Sequence, residues 1–402
     1  MALAEKAGDG RAPIRKISRS RQYQPYVEAS WGLKNHWYPA LFSHEVGEKD
    51  VKGVLIAGHE IALRRAKGKV YATQNRCPHR GVKFSAKPMV LTDETISCWY
   101  HGFTFGLEDG VLKTIVGSPE DPLIGEVKIR TYPVEELAGI IFVFVGDADY
   151  KPVPPLSTDL PIHITDDANP IKHITDKDVY VRGIHRNGRA NWRLAVENGY
   201  DPGHLLIHWD SMMVQSQDRY VPLGVTPVTD DAVRIIDEPD GPKGIMCMYN
   251  IEGAWAPVTE NSVVKMRAVG TKPYYFRVST VLPGLLQVEH WPIPGWSQLE
   301  WYVPTDDKHH EYWEILVGPC ANEEERKHCD NLYTGFFEPL GLFAFNDADL
   351  FARENMQRFY ENGEGWDDEI LCKFDNALIA WRKAVSRFNR GIQQPPRFFD
   401  HP

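Results

Sequence analysis

The stretch NGYDPGHLLIH, residues 198–208, places Asp201, His204 and His208 within eight positions. Asp201 is a good N-cap residue and Pro202 suits the first helical position, where its missing N–H costs nothing, so a short helix is predicted from Pro202. On that helix residues four apart share a face, and both imidazoles can reach one ion. Zinc, iron and copper all accept such a pair. Two histidines at this spacing are equally an ordinary surface or core pair, so the pattern needs support from elsewhere in the chain.

A stronger constellation lies upstream. RCPHRGV supplies Cys77 and His79, and SCWYHGF supplies Cys98 and His101: Cys-x-His, an eighteen-residue spacer, then Cys-x2-His. Each loop offers one thiolate and one imidazole. A structural zinc site is the plain alternative, but zinc fingers usually place both cysteines before both histidines. The interleaved order matches a Rieske cluster, where two cysteines hold one iron of a [2Fe–2S] centre and two histidines the other. Neutral imidazoles in place of thiolates raise the potential, to roughly −150 to +300 mV. Neither loop carries a further cysteine, so no disulfide can staple them, which suits a reducing cytoplasm. Gly81 and Gly102 follow the ligand pairs and are expected to allow tight turns bringing backbone N–H groups toward the sulfurs, or to be simple loop glycines.

With an electron-transfer cluster in the same chain, the histidine pair calls for one more ligand. A carboxylate would complete the two-His-one-carboxylate triad, which leaves open positions on Fe(II). GLFAFNDADLFARENM offers Asp347 and Asp349, two apart and therefore on different helix faces. Asp349 shares a face with Phe345 and Arg353, so it is the favoured ligand while Asp347 turns away. Asn346 is expected near the iron without binding it.

The elements that must position these residues fall into two parts. From His36 to Asp149, short alternating runs such as GVLIAGHEIALRR, KGKVYATQN and GIIFVFVGD read as a small antiparallel β domain. The Pro-rich segment 147–161 reads as a linker. Beyond it, strands such as YYFRVSTVLPGLLQVEHW and LEWYVPT sit between helical stretches at about 191–208, 322–360 and 367–389, an α+β arrangement. The chain has 402 residues, 43% hydrophobic and 25% charged, ample for two cores. A net charge of −10 argues against non-specific nucleic-acid binding. No apolar run approaches the roughly 20 residues that span a bilayer, and the N-terminus lacks a signal-type apolar core. It reads as a mobile basic tail. Cys247, Cys320, Cys329 and Cys372 show no ligand spacing and are expected to be buried free thiols. Neither GxGxxG after a strand nor GxxxxGK[ST] occurs, so the chain is not expected to bind a dinucleotide or ATP.

Taken together, NHWYP, CPHRGV, CWYH, NWRLAVENGYDP, EWYVP, PCANEEER, FARE and AWRK make the chain resemble the terminal oxygenase component of the Rieske non-heme iron ring-hydroxylating oxygenases, within them the carbazole-type group, from about residue 23 to 393. The resemblance implies an N-terminal antiparallel β Rieske domain (23–155) after a tail (1–22), and a helix-grip-like α+β catalytic domain (156–402). It implies that Cys77, His79, Cys98 and His101 hold the cluster, and that His204, His208 and Asp349 hold mononuclear iron. It gives Asp201 a second role, bridging His101 of one subunit to His204 of the next in a homotrimer; N-capping is its plain reading, and the two roles are compatible.

The resemblance also implies dioxygenation of carbazole or a related polycyclic aromatic, with electrons from NADH through a reductase and a ferredoxin. Arg80 and Lys83 flank the cluster loop and can guide an acidic ferredoxin. By the same likeness Gly199, Val278, Leu286, Trp291, Gln298, Glu300 and Phe345 line the pocket, the Gly199 carbonyl accepting from a ring N–H. Trp291 and Tyr275 are larger than the likeness leads one to expect. A related monooxygenase acting on an N-heterocycle such as an oxoquinoline shares every ligand. A non-catalytic electron carrier or redox sensor is the reading from another class, and it leaves the triad unused.

Overall fold

The computed structural model describes residues 19–161, 170–221, 233–238, 241–248, 270–274, 277–372 and 375–395, with backbone alone for 19, 233–238, 241–248 and 273. The alternating runs of the first part become β1 (His36–Phe42), β2 (Val51–Ile56), β3 (His59–Ala66), β4 (Lys69–Gln74), β5 (Thr95–Ser97), β6 (Phe103–Gly106), β7 (Leu112–Ile115), β8 (Thr131–Tyr132), β9 (Val134–Leu137) and β10 (Ile140–Val145). They form three antiparallel sheets, ordered β1-β10-β9, β2-β3-β4-β8 and β5-β6-β7. The small β5-β6-β7 sheet and Phe84, Phe103 and Phe105 enclose Cys77 and Cys98 in their own core.

The second part is built on β11 (Val179–Gly188), β12 (Arg219–Tyr220), β13 (Val233–Glu238), β14 (Gly241–Met248), β15 (Lys272–Pro273), β16 (Arg277–Val281), β17 (Leu285–Glu289), β18 (Ser297–Pro304) and β19 (His310–Pro319). Seven of these form one antiparallel sheet ordered β11-β19-β18-β17-β16-β14-β13. Strands β18 and β19 are buried on both faces. Odd positions, among them Leu285, Leu299, Trp301, Trp313 and Ile315, join the core of the N-terminal sheets. Even positions, among them Leu286, Tyr302, Tyr312 and Leu316, join a second core under the helices. The period of two thus sorts one strand set between two layers.

The helices are α1 (Gln24–Glu28), α2 (Trp192–Tyr200), α3 (Met212–Gln215), α4 (Glu323–Leu332), α5 (Asn346–Tyr360), α6 (Gly365–Asp368) and α7 (Asn376–Phe388). Asn191 caps α2, its side chain accepting from the Arg193 N–H at 3.1 Å. Asn322 caps α4 likewise, ahead of three glutamates that suit the positive helix start. The helical stretch foreseen at 322–360 is three pieces, because Tyr333–Phe345 winds as a wide π-helix containing Pro339. The stretch foreseen at 367–389 splits into α6 and α7.

Other expectations are revised. Ser20 and Tyr23 are buried, in a short turn Arg19–Tyr23, so the packed chain begins inside the foreseen tail. Residues 1–18 lie outside the described part, as do Tyr275 and the Cys247 side chain. Cys320 and Cys329 are buried thiols, but Cys372 is exposed. The Pro-rich segment is pinned: buried Asp159 accepts from the Trp37 N–H at 2.8 Å and pairs with His36 and Arg390. Among the described residues, no helix is long and apolar enough to cross a membrane.

Candidate active site

Pro202 disfavours helical backbone in the residue before it, and α2 ends at Tyr200 with Asp201 extended. Asp201 therefore does not cap a helix at Pro202; its Oδ1 accepts from the Gly203 N–H at 2.7 Å, and the next helical turn is a 3₁₀ turn, His204–His208. Residues four apart do not eclipse on such a turn. The two rings accordingly stand perpendicular, centroids 5.4 Å apart. Both Nε2 atoms still converge on Asp349, at 3.6 Å from Oδ1 for His204 and 3.4 Å from Oδ2 for His208.

Each imidazole is held from behind. His204 Nδ1 donates to the Asp201 carbonyl, which leaves Nε2 as the lone-pair nitrogen. The His208 ring stacks on Phe345 at 3.6 Å and 8°. The π-helix delivers Phe345 beneath that ring and starts α5 one residue later, so that Asp349 points inward, 4% exposed. Asp347 points out and pairs with Arg186.

His204, His208 and Asp349 present ligand atoms within 4.8 Å of one another. His208 Nε2 and Asp349 Oδ1 are buried without a hydrogen bond, which a native structure tolerates where an ion completes them. Burial would raise the Asp349 carboxyl, but His208, His204 and Arg353 outweigh it and hold the group well below the usual range. Burial lowers His208, keeping it neutral against the pull of Asp349. A deprotonated carboxylate and neutral imidazoles are the protonation states a divalent metal needs.

The cluster loops show the same fitness. Cys77 and Cys98 are buried while His79 and His101 are exposed, their rings 4.6 Å apart. The two thiols share a hydrogen bond that pushes Cys98 down to about 6 and Cys77 up. Backbone N–H groups do point at the sulfurs, but they belong to His79 and Arg80 for Cys77 and to Tyr100 and His101 for Cys98. Gly81 and Gly102, at φ 71° and 70°, instead close the turns by donating to the cysteine carbonyls at 2.8 and 2.9 Å. Arg80 and Lys83 are both exposed, and Lys83 pairs with Glu60 at 3.1 Å.

All seven foreseen pocket residues line one cavity, together with His204, Asn346, Asp349 and Arg353. Its floor is polar and ordered. Trp291 Nε1 donates to Gln298 Oε1 at 3.0 Å, and Gln298 Nε2 donates to Glu300 Oε1 at 2.7 Å. Tyr302 and Tyr312 donate to Glu300 Oε2 at 2.5 and 2.7 Å. Arg353, whose Nε donates to Asn198 at 2.5 Å, lies over the same two tyrosines. Composition gave no sign of this network, which depends on strand register. The cavity itself is only about 50 Å³, whereas roughly 150 Å³ holds one benzene ring.

Two family models match the chain: the Rieske [2Fe-2S] domain over residues 36–133 and the homotrimeric ring hydroxylases over residues 144–393. The chain belongs to the Rieske-type ring hydroxylases. Members of that family carry a Rieske [2Fe–2S] cluster and a mononuclear non-heme iron, and the two constellations above match those cofactors. The hydroxylase is 41% identical over 384 residues to the terminal oxygenase component of carbazole 1,9a-dioxygenase from Metapseudomonas resinovorans, covering 94% of this chain and 96% of that one. It superposes on a 2-oxoquinoline 8-monooxygenase component with TM-score 0.90 and 47% identity, over 97% and 94% of the chains. It also superposes on the oxygenase of a reduced oxygenase–ferredoxin complex of carbazole 1,9a-dioxygenase, with TM-score 0.84 and 37% identity, over 96% and 97%.

Proposed function

We propose that this chain is the terminal oxygenase component of a multicomponent dioxygenase that carries out angular dioxygenation of carbazole or a related polycyclic aromatic. Electrons would come from NADH through a reductase and a ferredoxin. The observation that carries the reading is the convergence of His204, His208 and Asp349 beside the seven-residue cavity, in a chain similar to carbazole 1,9a-dioxygenase over nearly its whole length. In this reading Cys77 and Cys98 hold one cluster iron, His79 and His101 the other, within a domain of residues 23–155. His204, His208 and Asp349 hold the mononuclear iron in a catalytic domain of residues 156–402. Free thiols and unstapled cluster loops support a cytoplasmic location.

Ferrous iron bound there supplies dioxygen activation. The chain's own residues bind and orient the ring. Val278, Leu286 and Phe345 exclude water from an aromatic face, and the Gly199 carbonyl, in the last turn of α2, accepts from a ring N–H. That contact sets the carbon beside the ring nitrogen toward the metal site. Asp201, through its carbonyl, keeps His204 in the metal-binding tautomer.

A monooxygenase acting on an oxoquinoline-like lactam is the second reading. The 47% identity to a 2-oxoquinoline 8-monooxygenase component favours it. A single turnover of the reduced, iron-loaded protein with carbazole under labelled dioxygen separates the two. Two labels in a ring-opened biphenyl product are expected. One label assigns the monooxygenase, and a lack of product from intact protein overturns the choice of substrate.

A further inference from the structure

Asn346 opens α5, is 2% exposed and lines the cavity three residues before Asp349. Its Nδ2 donates to Glu314 Oε1 at 2.6 Å. Glu314 is fully buried on β19, and its Oε2 accepts from Arg186 Nε at 2.9 Å. Arg186 is held in turn by Asp347 at 2.5 Å and by the Leu342 carbonyl at 2.6 Å. A chain of charges therefore runs from exposed Asp347 through Arg186 and Glu314 to an amide at the cavity wall.

An amide carries two donors on nitrogen and an acceptor on oxygen, and an ionised carboxylate can only accept. Burial pushes Glu314 up to about 8, but Arg186 donates to both of its oxygens, at 2.9 and 3.3 Å, and this two-point pairing holds it as the carboxylate. Glu314 therefore takes the NH2 end, and the oxygen is the end left for the cavity. We propose that Glu314, clamped by Arg186, is a positioning residue that fixes the Asn346 amide with its oxygen toward the metal-site cavity. The wall there offers an acceptor and rejects a second one. It orients a donor, whether water or a substrate N–H or O–H, beside the His204–His208–Asp349 site. The inference rests on the oxygenase reading above.

Glu314→Gln tests it, because a glutamine NH2 can donate to Asn346 Oδ1 and turn the amide around at nearly constant volume. Two readouts are taken on the iron-loaded trimer with ferrous content measured: the electron paramagnetic spectrum of the ferrous site treated with nitric oxide, and product formed per NADH consumed. E314Q is expected to keep its iron, change the spectrum, and lower product yield about tenfold, the order set by one charge-assisted hydrogen bond. Asn346→Leu, which has no amide to orient, is expected to give a similar loss, and E314Q/N346L no further loss. A wild-type spectrum and yield in E314Q, or losses that add in the double variant, would overturn the proposal. Should E314Q fail to fold, Asn346→Leu carries the test alone, and a wild-type spectrum and yield in N346L would overturn the proposal. The spectrum needs no substrate: a changed spectrum in E314Q beside a wild type inactive on carbazole supports this inference and overturns only the substrate reading.

Discussion

A carboxylate that is 4% exposed, with one oxygen lacking any hydrogen bond, is stable only beside a compensating charge. Arg353 supplies part of that charge beside Asp349, and a metal supplies the rest. Asp349→Ala should therefore lose the mononuclear iron and all product formation while the visible absorbance of the cluster stays at the wild-type level. Metal analysis beside that absorbance decides it, and an iron content that survives the substitution would remove Asp349 from the ligand set. Trp291 carries a different expectation. A cavity of about 50 Å³ cannot admit a three-ring molecule unless its largest wall moves, and the Nε1 bond to Gln298 helps to hold that wall, beside ring contacts with Tyr274 and Phe345. Trp291→Phe removes the tie and adds room, so carbazole should bind about threefold to tenfold more tightly, near the value of one well-filled methylene or two. The freed Gln298 oxygen should lower the melting temperature at the same time. Calorimetric titration giving unchanged affinity would place the restriction at another wall.

At the scale of elements, the legible parts were those whose chemistry is local. Cys-x-His and Cys-x2-His lie in two short loops, and the alternating runs around them became strands as their period requires. The face shared by Phe345, Asp349 and Arg353 follows from helical period alone, and all three are buried. The N-cap and proline signals at 201–202 point to an α-helix, but proline restricts the residue before it, and the turn bearing His204 and His208 is 3₁₀ instead. The π-helix has no sequence signature that composition exposes, and the Arg186–Glu314–Asn346 line was invisible for a different reason. It depends on register: Ile184 lies opposite Glu314, so Arg186 is its diagonal neighbour, and Glu314 in turn lies opposite Glu300. Two carboxylates facing across strands would be unfavourable, and each is met by its own arginine. In the cluster loops the same kind of geometry makes a prediction. Gly102 has φ 70°, and a Cβ there would meet Val116 at 2.6 Å. Gly102→Ala should cost about 1–3 kcal/mol of local strain and shorten the half-life of cluster absorbance on mild heating. The iron site, in another part of the fold, should keep its metal, and equal loss of both centres would point to global unfolding instead.

For the whole molecule, the two layers meet at more than apolar side chains. His185 on β11 stacks on Trp313 at 4.6 Å and bridges Glu311, at 2.6 Å, to Glu45 of the N-terminal part, at 3.1 Å. Burial lowers its pKa, but Glu311 and Glu45 together raise it above the ordinary histidine value. A group raised on folding stabilises fully below its unfolded pKa, about 6.5, and loses that contribution as pH rises through the folded value. The difference in melting temperature between wild type and His185→Gln should therefore be largest near pH 6 and shrink toward pH 9; a difference that grows with pH would reverse the assignment. The last expectation concerns the assembly. His101 is exposed at the tip of the cluster loops, and the apolar side chains Leu206, Ile207 and Trp209 are exposed on the turn that bears the iron-site histidines. A closed ring of like subunits places one such surface against the next. If electrons cross from each cluster to the neighbour's iron, His101→Ala and Asp349→Ala homotrimers should both be inactive, while trimers reassembled from an equal mixture recover activity. Random assembly leaves an intact cluster feeding an intact iron at about a quarter of the interfaces, so about a quarter of wild-type turnover is expected. If each cluster instead served the iron of its own chain, every subunit in the mixture would still lack one centre, and turnover would stay at zero however completely the subunits exchanged.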